Sequence, residues 1–176
     1  MDVDSRLIMG QRVSQAPNDK QELVPTLAAI PAEAGPVAAA LVDSGFYSAA
    51  AVQAIEQTSA GQATGTTVYA AVEKRGHHRS VSDLEVKPEP EPPPPEASAT
   101  EVMRHRLRTS AGKRIYKLRQ QTVEPVFGII KSVLGFRQFR LRGREKVSLE
   151  WTLVCLAYNL KRLHRLGGSL KLAVAN

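Results

Sequence analysis

Residues 110–135 read SAGKRIYKLRQQTVEPVFGIIKSVLG, and this stretch decides how the rest of the chain is read. Val123, Phe127, Ile130 and Leu134 recur at four, three and four residues, which predicts one helix over Ser110–Leu134 with those four on its buried face. Gly135 follows as a natural C-cap. At 100° per residue, Glu124, Gly128 and Lys131 line a stripe beside the apolar one, with Tyr116 within about a quarter-turn and Arg119 further round. A carboxylate flanked by Lys, Tyr and Arg suits a metal site beside phosphates. The same pattern also describes an ordinary amphipathic helix carrying an i,i+7 charge pair.

Upstream, Ser98-x-x-Glu101 has capping-box spacing and predicts a helix through Leu107. Downstream, GFRQFRLRGREK (135–146) is basic and irregular or strand-like. Its Arg137, Arg140, Arg142 and Arg144 interleave with Phe136 and Phe139, as either phosphate contacts or a basic edge that shields a strand. A last helix is expected over Ser148–Leu166. Trp151, Leu153, Val154, Leu156 and Leu160 make it apolar around most of its circumference, so it should be buried or packed on a missing partner. Cys155 belongs to that pattern as an inert core residue, and 167–176 forms a flexible tail.

The front half alternates strand-like and helical runs. SRLIMGQRVS (5–14) reads as one or two strands broken near Gly10. A helix begins at Asn18-Asp19, with Asp19 a helix-start residue, and carries Leu23, Leu27 and Ile30. Pro36–Val42 reads as a buried parallel strand ending at Asp43, Ser48 caps a helix over 49–57, and Thr66–Val72 is a second strand. Six of the eleven prolines then fall at 88, 90 and 92–95, which predicts an extended linker over 75–97. His77-His78, set among basic residues, reads as solvated loop. The resulting division is an α/β segment over 1–74, the linker, a helical basic segment over 98–166 and the tail.

Charge follows the same division. Residues 1–100 hold 7 Lys+Arg and 13 Asp+Glu, a balance of −6, whereas residues 101–176 hold 17 and 4, a balance of +13. A basic half of that strength fits a polyanion, or a solvated surface with no partner. One cysteine excludes a disulfide framework and a multi-cysteine zinc site within the chain. No apolar run reaches the length of a membrane span, and MDVDSRL lacks a signal peptide's basic start, so a cytoplasmic location is expected. Asp2 before the first strand-like run, Asp43 at a strand end and Glu124 on the patterned helix are the acids to watch. Convergent carboxylates of this kind hold two Mg²⁺ ions, which prefer hard oxygen ligands and serve phosphodiester chemistry.

RIYKLRQQTVEPVFGIIKSVLGFRQFRLRG (114–143) closely resembles the C-terminal catalytic block of bacterial insertion-sequence DDE transposases, the group with a Y…R…E…K signature. ALVDSGFYSAAAV (40–52), the stretch 1–30 and VSLEWTLVCLAYNLKRL (147–163) resemble further blocks of the family. The resemblance implies an incomplete ribonuclease H-like α/β domain with a helical C-terminal half. It implies Asp2 (or Asp4), Asp43 and Glu124 as the metal-binding acids of cleavage and strand transfer. It makes Tyr116, Arg119 and Lys131 contacts to transposon-end DNA, and tips Arg137, Arg140 and Arg142 toward the same role. The family pattern has three residues between its Arg and Glu, whereas QQTV makes four here, which loosens the assignment of Arg119. Asp2 stands almost at the first residue, so the resemblance also implies a truncated, inactive fragment, acting as a homodimer, with a full-length transposase, or as a non-catalytic DNA-binding remnant.

Overall fold

The computed structural model describes residues 1–72 and 88–167. His77-His78, the first part of the proline linker and the tail beyond Gly167 lie outside the described residues. The elements are α1 (Leu23–Ala28), β1 (Ala39–Val42), α2 (Ala49–Glu56), β2 (Thr67–Ala70), α3 (Ala99–Arg108), α4 (Ser110–Ser132) and α5 (Arg144–Arg165).

Strands β1 and β2 pair in parallel, with Ala39 opposite Thr67 and Val42 opposite Ala70. A parallel pair needs a crossover, and α2 supplies it. The sheet is buried because small and β-branched residues face the helices: Ala40, Val68 and Ala70 join Leu23 and Met103 in a first core. Arg106 clamps α3 to this unit. Its guanidinium pairs with Glu56, donates to the Val68 carbonyl oxygen at 2.5 Å and lies 5.8 Å from the centre of the Tyr69 ring. Helix α3 opens on the expected capping box, with the Ser98 hydroxyl and the Glu101 carboxylate each bonded to the other's backbone N–H.

A single residue, Thr109, separates α3 from α4 and caps the latter, its Oγ1 accepting from the Gly112 N–H at 3.0 Å. Part of the proline stretch is pinned at this corner, since Glu89 accepts from the Ser110 N–H at 2.9 Å. Helix α4 runs through Pro125, which cannot donate to the Gln121 carbonyl. It ends at Ser132, two residues before the expected Leu134, and Gly135 follows at φ 71°.

A second core lies at the far end of α4, where Val126, Ile130 and Tyr158 are buried and Met1, Ile8, Leu134, Phe136, Trp151 and Val154 pack around them. Here three expectations are corrected. The buried stripe of α4 is Thr122, Val126 and Ile130, one position round from the expected Val123–Phe127 stripe. Phe127 lies at the rim, 42% exposed, with one face stacked on the Trp151 ring, centroids 6.2 Å apart. Residues 5–14 form no strand. They run as an extended strap whose backbone partners come from α5 side chains: Asn159 bonds both the Ile8 N–H and the Ile8 carbonyl oxygen at 2.9 Å, the Tyr158 hydroxyl donates to the Arg6 carbonyl oxygen at 3.0 Å, and Arg162 donates to that of Ser5 at 2.7 Å. A ladder needs a neighbouring strand, and the sheet lies elsewhere. Helix α5 starts four residues earlier than expected and buries one side only, including Cys155, whose thiol burial pushes up to about 11. Among the described residues, no helix is long and apolar enough to cross a membrane.

Candidate functional site

Strand β1 delivers Asp43 to its carboxyl end, the side on which ligands sit in parallel α/β sheets. Its Oδ1 accepts from the Ser44 N–H at 2.7 Å and so caps the short 3-10 turn Ser44–Phe46. The other oxygen, Oδ2, meets the Arg119 guanidinium at 3.0 Å. One turn before Arg119 on α4, the Tyr116 hydroxyl donates to the Val42 carbonyl oxygen at 3.0 Å. The structure therefore brings together Asp43, Tyr116 and Arg119. Their bonds dock the first half of α4 against the strand end. The Asp43 side chain remains 56% exposed, so this ion pair is open to water and holds the helix weakly.

Glu124 stands on α4 five residues beyond Arg119, which is about 140° round the helix and roughly 7.5 Å along it. It is exposed, as is Lys131 on the same stripe. Asp2 sits in the N-terminal turn, where its Oδ2 accepts from both the Ser5 N–H at 2.7 Å and the Ser5 hydroxyl at 2.6 Å. The Ser5 hydroxyl, and next its backbone, hold the Asp2 carboxyl below the usual carboxylate range. That turn faces a different flank of α4: Val3, Asp4 and Arg6 lie across a cleft from Leu118, Gln121, Thr122 and Arg162.

The three acids thus occupy three flanks of one helix. Among the described residues, no group of three His, Cys, Asp or Glu side chains comes together in a way that could hold a metal ion. The donor set in this arrangement does not fit a pair of Mg²⁺ ions, because the three carboxylates do not converge, with Asp43 turned to Arg119 and Asp2 to Ser5.

The basic segment between α4 and α5 is better defined. Arg137, Arg140 and Arg142 are exposed on an irregular connection. Glu150, reaching back from α5, accepts from the backbone N–H of Arg140 at 3.0 Å and of Leu141 at 3.1 Å. Beneath the connection, Phe136 and Phe139 pack edge to face with centroids 5.4 Å apart, and both lie about 6 Å from the Trp151 ring. The backbone is fixed by a carboxylate and an aromatic floor while the arginine side chains face outward. Pattern reading missed Glu150 as the organiser of this segment. The available signal was its rarity, as one of four acids in residues 101–176.

Residues 92–164 match a family model described as "Transposase DDE domain". The matched span contains Tyr116, Arg119, Glu124, Lys131 and the three arginines, and leaves Asp2 and Asp43 outside it. No curated protein and no solved structure was found to match the chain.

Proposed function

We propose, from the match of residues 92–164 to the transposase DDE domain model, that this chain is transposase sequence whose working activity is binding to the DNA backbone, with cleavage silent in this arrangement. The observation that carries this reading is the ordered connection 136–142, with three outward arginines over an aromatic floor. Lys131 adds a fourth cation at the adjoining end of α4. Such a surface meets phosphates and reads no sequence by itself. On this reading β1, α2 and β2 are part of a ribonuclease H-like α/β domain, and Tyr116 and Arg119 position DNA at the strand end. Asp2, Asp43 and Glu124 are the carboxylates that two-metal cleavage and strand transfer at transposon ends would require to converge.

Two measurements test this. Binding to a labelled duplex, followed by anisotropy across a salt series, should show a steep slope in log K against log salt. The triple variant Arg137→Gln, Arg140→Gln, Arg142→Gln should flatten that slope by about 2–3, since each phosphate contact contributes roughly 0.9. An unchanged slope would remove the segment from the interface. The full chain incubated with duplex and Mg²⁺ should leave the DNA uncut, and Glu124→Gln should bind as tightly as the parent. Mg²⁺-dependent nicking that disappears in Glu124→Gln would replace the binding-only reading with a catalytic one.

A further inference from the structure

Helix α5 carries Leu149, Leu153, Leu156, Leu160 and Leu163, at intervals of four, three, four and three residues. This is the a/d rhythm of a coiled-coil seam. At 100° per residue the five side chains fall within an arc of about 80°. Trp151 and Tyr158, which pack into the second core, lie on the opposite side of the helix. The leucines are 62, 59, 52, 51 and 36% exposed in chain order. A continuous seam of leucine in water marks an interaction surface.

We propose that this seam is an antiparallel self-association interface, and that its occupant is α5 of a second copy of the chain. The sequence is self-complementary in that orientation. With a two-fold axis at Leu156, Leu149 faces Leu163 of the second copy, Leu153 lies within one residue of its Leu160, and Leu156 meets its own counterpart. No polar residue is forced into the seam.

Charge selects the same orientation. The last turns of α5 hold Lys161, Arg162, His164 and Arg165 with no acid, whereas in its first half Glu145 and Glu150 balance Arg144 and Lys146. A parallel pair would set the basic ends side by side. The antiparallel pair sets each basic end against the half carrying the acids, with Glu150 across from His164 of the second copy, and opposes the two helix dipoles. One flank of the seam is taken by the strap, through the Gln11–Thr152 and Ile8–Asn159 bonds. The other flank, Glu150, Ala157 and His164, has small Ala157 at its centre, where the two helices come nearest.

This inference does not depend on DNA binding and is tested without DNA. Sedimentation of the full chain over a concentration series should show a monomer–dimer equilibrium. Leu153→Glu with Leu156→Glu should weaken it by at least roughly a hundredfold, with helix content unchanged by circular dichroism. A chain that stays monomeric at every concentration, its seam awaiting further sequence from a longer protein, would overturn the proposal. So would a double variant that still dimerises. Orientation is tested separately, in folded protein, by oxidising single-cysteine surface variants. Leu149→Cys mixed with Leu163→Cys should cross-link to each other, and Leu149→Cys alone should not. The reverse result would reject the antiparallel pair.

Discussion

Gly112→Ala is expected to lower the melting temperature by roughly 6–12 °C, while Gly128→Ala, on the same helix, is expected to raise it. At Gly112 a Cβ would stand 1.8 Å from the Arg106 carbonyl oxygen and 2.9 Å from its carbon. Those are backbone atoms, so no rotamer relieves the overlap. Relief would require α3 and α4 to separate at the one-residue corner, but Arg106 is held to the sheet by Glu56 and the Val68 carbonyl. Thr109 ties both sides of the corner, donating to the Arg106 carbonyl oxygen at 2.8 Å and accepting from the Gly112 N–H. Overpacking typically costs 1–3 kcal/mol, and a clash with fixed backbone belongs at or above about 3 kcal/mol. For a chain of this size each kcal/mol moves the midpoint by roughly 2–4 °C. Gly128 has nothing within 4 Å of its would-be Cβ, so alanine there gains only the helix-propensity difference of about 0.5–1 kcal/mol. Opposite signs at two glycines sixteen residues apart, measured by thermal melts, would establish the α3–α4 corner. Equal and small effects would reject it.

The second large effect is at Ile130, where alanine should cost about 2–5 kcal/mol. Ile130 is 2% exposed and, among the described residues, shares the second core with two other buried side chains, Val126 and Tyr158. So small a core has little capacity to close over a void. The informative comparison is Phe127→Ala. The sequence stripe makes Phe127 as central as Ile130, but its ring lies on the rim against Trp151 and is 42% exposed. Phe127→Ala should therefore cost less than Ile130→Ala, although phenylalanine is the larger side chain. Denaturant titrations of the two variants decide the point, and a larger loss at Phe127 would mean that α4 is rotated toward the stripe read from its spacing.

What was legible in the sequence was local or periodic. The Ser98–Glu101 box, the left-handed Gly135 just past α4 and the crossover from β1 through α2 to β2 each follow from residues close in sequence or from a single repeat. The rotation of α4 was not legible, because apolar residues occupy two adjacent stripes and only the placement of α5 chooses between them. The partners of the strap were hidden for a different reason. Asn159 reaches Ile8 across 151 residues, and no pattern in either segment announces the pair. Arg106 and Glu56, 50 residues apart, are a similar case. At the candidate site, Asp43 was legible as a carboxylate at a strand end, and Tyr116 and Arg119 as neighbours on one helix. That Arg119 would bind Asp43 itself joins two residues to which the family pattern gives separate duties, one toward metal and one toward DNA.

The strap's attachment to Asn159 has a chemical corollary. An amide side chain offers a donor group at one end and an acceptor at the other, and here each engages the same backbone residue, Ile8. That rung of exposed chain is thereby withheld from any foreign strand seeking an edge to extend. Were the side chain to age into aspartate by loss of ammonia, the carboxylate would still receive the Ile8 amide but would turn a second oxygen toward the Ile8 carbonyl. One attraction would become a repulsion, and the front of the molecule would lift first at that point.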